Sequence, residues 1–75
     1  MIPIKYLWTD FSPTTDEIYE AMEITHKENC VVIVKWQAFG YPYSMTVQSH
    51  MSFEDCENQI PKVYGMCGVI CVKQF

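Results

Sequence analysis

The strongest constraint on the fold is a hairpin pattern in the middle of the chain, where two alternating segments flank a glycine. The segment from Cys30 to Phe39 is rich in β-branched and aromatic residues, and Lys35 and Gln37 mark one face of the predicted strand as polar. Gly40 supplies the backbone conformation that a tight turn needs. We therefore predict a β-hairpin with a core face of Val32, Val34, Trp36, Ala38, Met45 and Val47, and a polar face of Lys35, Gln37, Thr46 and Gln48.

A helix is predicted before this hairpin. Thr14 and Glu17 have the spacing of a capping box, in which each side chain binds the other residue's backbone N–H. Ile18 and Ala21 then begin an apolar stripe at helical spacing. The pattern predicts a helix over residues 15–27 with this stripe turned toward the sheet.

Three further elements complete the predicted fold. A strand is expected at the start of the chain, because large apolar residues alternate there with smaller or polar ones, and the larger set is expected to be buried. Ser52 is a good N-cap for a helix of about two turns that ends before Pro61. Residues 67–72 are apolar on both faces, which is typical of a central strand. The expected buried set of the first strand is Ile2, Ile4, Tyr6 and Trp8.

The element order is therefore β-α-β-β-α-β over a single domain of residues 1–75. We predict a small two-layer α+β sandwich, with a four-stranded, mainly antiparallel sheet and two helices on one face. This order is that of the ferredoxin-like fold, in which the last strand lies at an edge beside the first. Residues 67–72 are unusually apolar for an edge, so a plainer sandwich with this strand in the centre is the alternative.

Composition narrows the classes of partner. The 75 residues include five Lys, no Arg and nine acidic residues, for a formal net charge of −4. This balance repels phosphate backbones and lacks the guanidinium group that grips phosphates and guanine edges. We therefore expect no direct binding to nucleic acid. No apolar segment has the length of a signal peptide core or a membrane span, so a cytoplasmic protein is expected.

No residue pattern indicates a catalytic site, a cofactor or a metal. The four cysteines, Cys30, Cys56, Cys67 and Cys71, form no Cys-x-x-Cys pair, and we expect them to be reduced. On a strand, Cys67 and Cys71 would lie roughly 13 Å apart, too far to share one ion. We expect a protein that is not an enzyme. A thiol, redox or small-molecule-sensing domain that uses these cysteines is the alternative function.

Two groups of residues are candidates for contact with a partner. The first is aromatic and lies at the hairpin turn, where side chains are usually polar, and the second is acidic and lies on the first helix. Together they predict a protein-binding module that docks on a basic partner, such as a nucleic-acid-binding enzyme, in the manner of small viral or phage accessory and inhibitor proteins. Local packing of the rings and a simply solvated helix are the alternatives, and either a monomer or a homodimer is compatible. The candidate residues are Phe39, Tyr41, Tyr43, Glu17, Glu20 and Glu23.

Overall fold

The computed structural model describes residues 1–61 and, beyond them, the backbone of residues 63–66 and 69–72. The protein is a small α+β fold, and the predicted order of its first five elements is confirmed. Along the chain the elements are β1 (Ile4–Trp8), α1 (Thr15–Glu28), β2 (Val31–Ala38), β3 (Tyr41–Val47), α2 (Phe53–Glu57), β4 (Val63–Met66) and β5 (Val69–Val72).

The first helix begins at the predicted capping box. The Thr14 hydroxyl accepts the Glu17 N–H at 3.3 Å, and the Glu17 carboxylate accepts the Thr14 N–H at 2.8 Å. The helix ends at Asn29, which takes a left-handed conformation with a φ of 49°. The helix predicted over residues 15–27 is thus confirmed and extends one residue further.

The apolar stripe of α1 packs on one face of the sheet. Ile18 and Ala21 are buried as predicted, and so is Thr25, which interrupts the stripe in the sequence. The Thr25 hydroxyl donates to the Met22 carbonyl at 2.6 Å, so its polar group has a partner within the helix. The rest of the buried cluster comes from the hairpin, from α2 and from the residue before β2, and comprises Cys30, Val32, Val34, Trp36, Met45, Val47 and Cys56.

The second helix is also held by a capping box. The Ser52 hydroxyl accepts the Asp55 N–H at 3.1 Å, and the Asp55 carboxylate accepts the Ser52 N–H at 3.3 Å. The helix has five residues, fewer than the predicted two turns, and it buries Cys56. It contacts α1 and β3, so both helices cover the same face of the sheet.

The main sheet has three strands in the order β1-β2-β3. β1 pairs with β2 in parallel, from Ile4 opposite Val31 to Trp8 opposite Lys35, while β2 and β3 are antiparallel. The predicted ferredoxin-like order is not confirmed, because β1 lies beside β2 and not beside β3. A helix as long as α1 can connect two adjacent parallel strands, and apolar spacing within each strand does not specify its neighbour.

The predicted fourth strand of the main sheet is likewise not confirmed. β4 and β5 pair with each other, antiparallel, in a separate two-stranded sheet. β5 covers residues 69–72 of the strand predicted over residues 67–72, and β4 was not predicted. The remainder of that prediction lies outside the residues that the structure describes.

The burial of β1 is the reverse of the sequence prediction. Ile4, Tyr6 and Trp8 are 54%, 54% and 70% exposed, and Ile2 is exposed as well, whereas Leu7 packs against the core. Leu7 pairs with the buried Val34 and so lies on the face that the helices cover. A strand with apolar residues on both faces has an ambiguous alternation, and here the face with fewer large side chains is the one under the helices.

Candidate functional site

The turn between β2 and β3 has only two residues, and both take unusual backbone conformations. Phe39 has a φ of 53° and Gly40 a φ of 80°, and Ala38 and Tyr41 form the closing pair. Positive φ at both central residues is the pattern of a type I′ turn, which matches the twist of the flanking strands. The predicted role of Gly40 is confirmed. A bulky residue such as Phe39 adopts this conformation at a cost of about 1–2 kcal/mol.

Two of the three predicted aromatic contact residues project into solvent at this turn. Phe39 is 59% exposed and Tyr41 is 63% exposed. The third, Tyr43, is half-buried and stacks on the buried Trp36 ring with 5.9 Å between ring centroids. Tyr43 therefore packs against the core, while Phe39 and Tyr41 are available to a partner.

Sequence reasoning missed a further aromatic residue at the same end of the fold. Phe11, in the loop between β1 and α1, is exposed to 79% of its surface. It lines an open depression of about 430 Å³ together with Ser12, Gln37, Ala38 and Phe39. We call Phe11, Phe39 and Tyr41 the aromatic end. The signal that could have found Phe11 is the one used for Phe39, a large ring in a predicted turn.

The predicted acidic residues differ in what they do. The Glu17 carboxylate is engaged in the capping box of α1, so its first role is to hold the helix start. Glu20 and Glu23 are exposed and lie three residues apart, on one side of the helix. Because β1 runs toward the turn and α1 runs back, the start of α1 lies at the same end of the sheet as the aromatic end. Glu20 and Glu23 follow at increasing distance from it.

The sheet face opposite the helices, here called the open face, is more aromatic than the hairpin sequence predicts. Tyr6 and Trp8 on β1 lie beside Lys35 of β2. The Lys35 Nζ sits 4.4 Å from the Tyr6 ring centroid and 5.5 Å from that of Trp8. Such cation–π contacts hold the ammonium group against the rings. The predicted polar side chains are present, but β1 adds exposed apolar surface beside them.

The groups considered for chemistry are separated or buried in the described part of the chain. Cys30 and Cys56 are buried free thiols. Burial raises the pKa of the Cys56 thiol, and the nearby Asp55 carboxylate raises it further. Since the thiolate is the reactive form, both effects make Cys56 a poor nucleophile. The side chains of Cys67 and Cys71 lie outside the described residues.

Neither a metal site nor an oriented nucleophile is assembled among the residues that the structure describes. Within residues 1–61, no three His, Cys, Asp or Glu side chains converge as metal ligands. Ser49 Oγ lies 3.4 Å from His50 Nδ1, but these are consecutive residues on an exposed turn. A catalytic pair needs a third group to orient its base, and no hydrogen bond found in this part of the chain provides one.

Comparison with known proteins adds no functional assignment. No protein-family model, no curated protein and no solved structure matches this chain. In the described part, neither helix has the length and apolar character that crossing a bilayer requires. The roles assigned below therefore rest on the residues and their geometry.

Proposed function

We propose that this protein is a non-enzymatic protein-binding module of the accessory or inhibitor type. It docks through the aromatic end, with the acidic side of α1 contributing to association. The observation that carries the proposal is the conformation of Phe39. A bulky aromatic residue occupies a left-handed turn position and still exposes 59% of its surface.

That position is costly for the fold and gives the ring little packing in return. A type I′ turn is most stable with Asn or Asp before Gly, because these residues tolerate a positive φ. Phe39 instead leaves its ring at the tip, where it lines the same depression as the exposed Phe11, and the exposed Tyr41 follows directly after the turn. Aromatic residues are common anchors of protein interfaces, and a rigid hairpin limits the entropy lost when they bind.

Charge indicates the kind of partner. Glu20 and Glu23 are exposed on α1, and the chain has a formal net charge of −4. A basic surface, such as the groove of a nucleic-acid-binding enzyme, complements this charge and would attract the protein over distances up to a Debye length. The same charge disfavours direct contact with nucleic acid.

A thiol or redox function is the alternative, and the described cysteines give it little support. Cys30 and Cys56 are both buried, and the pKa of Cys56 is raised by burial. Redox-active cysteines are typically exposed, with a lowered pKa. Rapid labelling of Cys30 or Cys56 in the native protein would favour this alternative.

The test of the aromatic end is capture of a partner from host lysate, followed by binding kinetics with folded variants. Phe39→Ala and Tyr41→Ala should each weaken binding by about 1–2 kcal/mol, or about 5- to 30-fold in Kd. The matched control is Ile2→Ala, which removes an exposed apolar side chain at the other end of β1. The proposal is contradicted if the control variant loses binding. It is also contradicted if both aromatic variants bind as tightly as the wild type.

The acidic side of α1 is tested by charge reversal. Changing Glu20 and Glu23 to Lys should slow association, and adding salt should shrink the difference from wild type. The control changes Glu54 and Glu57, which are exposed on α2, so that the net charge shifts by the same amount. An equal effect of both double variants would mean that net charge, and not the α1 surface, governs association.

A further inference from the structure

The outer edge of β1 presents backbone groups that β2 does not use. The Val31 N–H donates to the Pro3 carbonyl at 2.9 Å, and the Thr9 N–H donates to the Lys35 carbonyl at 3.0 Å. In a parallel ladder this places the odd-numbered residues of β1 toward β2. The N–H and C=O groups of Ile4, Tyr6 and Trp8 therefore point away from the sheet, and no strand within the described residues pairs with them.

The outer edge of β3 is different because its row of donors and acceptors is interrupted. Pro42 has no N–H to offer. Thr46 donates its N–H to the Gln59 side chain at 3.0 Å and accepts from it at 2.6 Å, so one carboxamide satisfies both backbone groups. Gln48, just beyond the strand, accepts the Met51 N–H at 3.1 Å. Of the two edges of the main sheet, only that of β1 presents a full row of donors and acceptors.

The chain's own β4 cannot reach the β1 edge while the Gln59 contact holds. Gln59 lies beside β3, and Val63 begins β4 four residues later, a span of at most about 14 Å. A strand paired with the outer edge of β1 would lie three strand spacings, or about 14 Å, from β3. The backbone of Gln59 is farther away still, because its side chain lies between it and β3. Within the described residues, β4 and β5 pair with each other in a separate sheet and not with β1, so the β1 edge is open to a second molecule.

We infer that two copies of this chain pair through the outer edges of β1, antiparallel about Tyr6, to form a continuous six-stranded sheet. In this register Tyr6 lies opposite Tyr6 of the second copy, and Ile4 lies opposite Trp8 of the second copy. The N–H and C=O groups of all three residues point away from β2. The two residues of each pair can therefore exchange both backbone hydrogen bonds. This inference does not rest on the proposed function.

The register is self-complementary in its side chains as well. The paired residues all lie on the open face, where Ile4, Tyr6 and Trp8 are more than half exposed, and aromatic and aliphatic cross-strand pairs are favourable. Lys35 lies beside Trp8, so the two copies of Lys35 fall at opposite ends of the new contact. On the helix face, Lys5 is ion-paired with Glu28. No like charges are placed directly opposite one another.

Sedimentation and edge proline variants test the pairing. Tyr6→Pro removes an outward N–H and leaves the bonds of β1 to β2 in place, and should weaken self-association at least about tenfold. Ser44→Pro is the matched control. Ser44 is two residues from Pro42 on β3, so its N–H also points outward from the strand and away from β2. The wild type and the Ser44 variant should show a mass that rises to that of a dimer with concentration. A wild type that stays monomeric, or a folded Tyr6→Pro variant that still dimerises, overturns the inference.

Amide exchange and isotope-filtered NMR on the wild type test the same point without relying on a variant that folds. The amides of Ile4, Tyr6 and Trp8 should exchange at least about tenfold more slowly at high than at low protein concentration. In a mixture of labelled and unlabelled chains, contacts should join Tyr6 to Tyr6 of the second copy. Exchange that is equally fast or equally slow at every concentration, or contacts of β1 with β4 or β5 of the same chain, would overturn the inference.

Discussion

Replacing Gln59 by Ala should lower the free energy of unfolding by about 1–2 kcal/mol. The Gln59 carboxamide makes two hydrogen bonds to the Thr46 backbone, at 3.0 and 2.6 Å, and a net contribution of about 0.5–1.5 kcal/mol each sets the range. The two bonds together would contribute about 1–3 kcal/mol. The lower half of this range applies, because water can bond to the Thr46 backbone groups once the Gln59 side chain is truncated. For a domain of this size the change corresponds to about 5–15 °C in Tm.

Denaturant unfolding followed by circular dichroism measures this effect, and Asn58→Ala is its control. Asn58 is the exposed neighbour of Gln59, and its truncation should change stability by less than about 0.5 kcal/mol. If Gln59→Ala is as mild as Asn58→Ala, the contact does not close the β3 edge. The argument that keeps β4 away from β1 would then fail with it.

Gln59→Glu adds a pH test of the same contact. A protonated carboxyl can both donate to the Thr46 carbonyl and accept the Thr46 N–H, whereas a carboxylate can only accept. Folding should therefore raise the pKa of the introduced carboxyl above its unfolded value of about 4.3. The variant should approach wild-type stability below that value and lose stability as pH rises through the folded pKa. A pH-independent difference between the variant and the wild type would contradict the bonding pattern.

Three further predictions concern stability and thiol chemistry. Ile18→Ala should cost about 2–4 kcal/mol because it leaves a cavity, while Glu20→Ala on the exposed side should cost less than about 0.5 kcal/mol, and equal costs in denaturant unfolding would mean that the helix phase is wrong. Gly40→Ala should destabilise the protein by about 1 kcal/mol, since Gly40 has a φ of 80°, and an unchanged Tm would contradict the turn type. Cys56 should react slowly with iodoacetamide in the native state, and because folding raises its thiol pKa, stability should fall as pH rises above the ordinary value of 9.0. Fast labelling of the native protein would contradict its burial.

Local features of this fold were predictable because they depend on nearby residues. The capping box at Thr14, the N-cap at Ser52 and the turn at Gly40 are formed by groups within a few positions of one another. The core face of the hairpin was predictable for the same reason, since its two strands are adjacent in sequence and Lys35 and Gln37 mark the opposite face of β2 as polar. In each case the residues that form the sequence pattern and the residues that they contact lie in one short segment.

The placement of β1 depends on distant parts of the chain and could not be derived in this way. Both faces of β1 carry apolar residues, and only its pairing with β2 decides that Leu7 faces the helices. The contribution of Phe11 to the aromatic end depends on the same pairing, which brings the loop after β1 to the hairpin turn. Glu17 and Tyr43 were chosen for their chemical type, and the contacts that engage them became visible only in three dimensions.

The central claim is that Phe39 is present for contact and not for folding, and Phe39→Asn tests it most directly. The substitution creates an Asn-Gly type I′ turn, which suits the positive φ of 53° at this position, and removes the exposed ring. Two quantities are measured on the same sample: the free energy of unfolding and the affinity for the partner captured by the wild type. We predict that unfolding becomes harder by about 0.5–1 kcal/mol, while Kd rises at least about tenfold. A loss of stability, or unchanged affinity in the folded variant, would contradict the account.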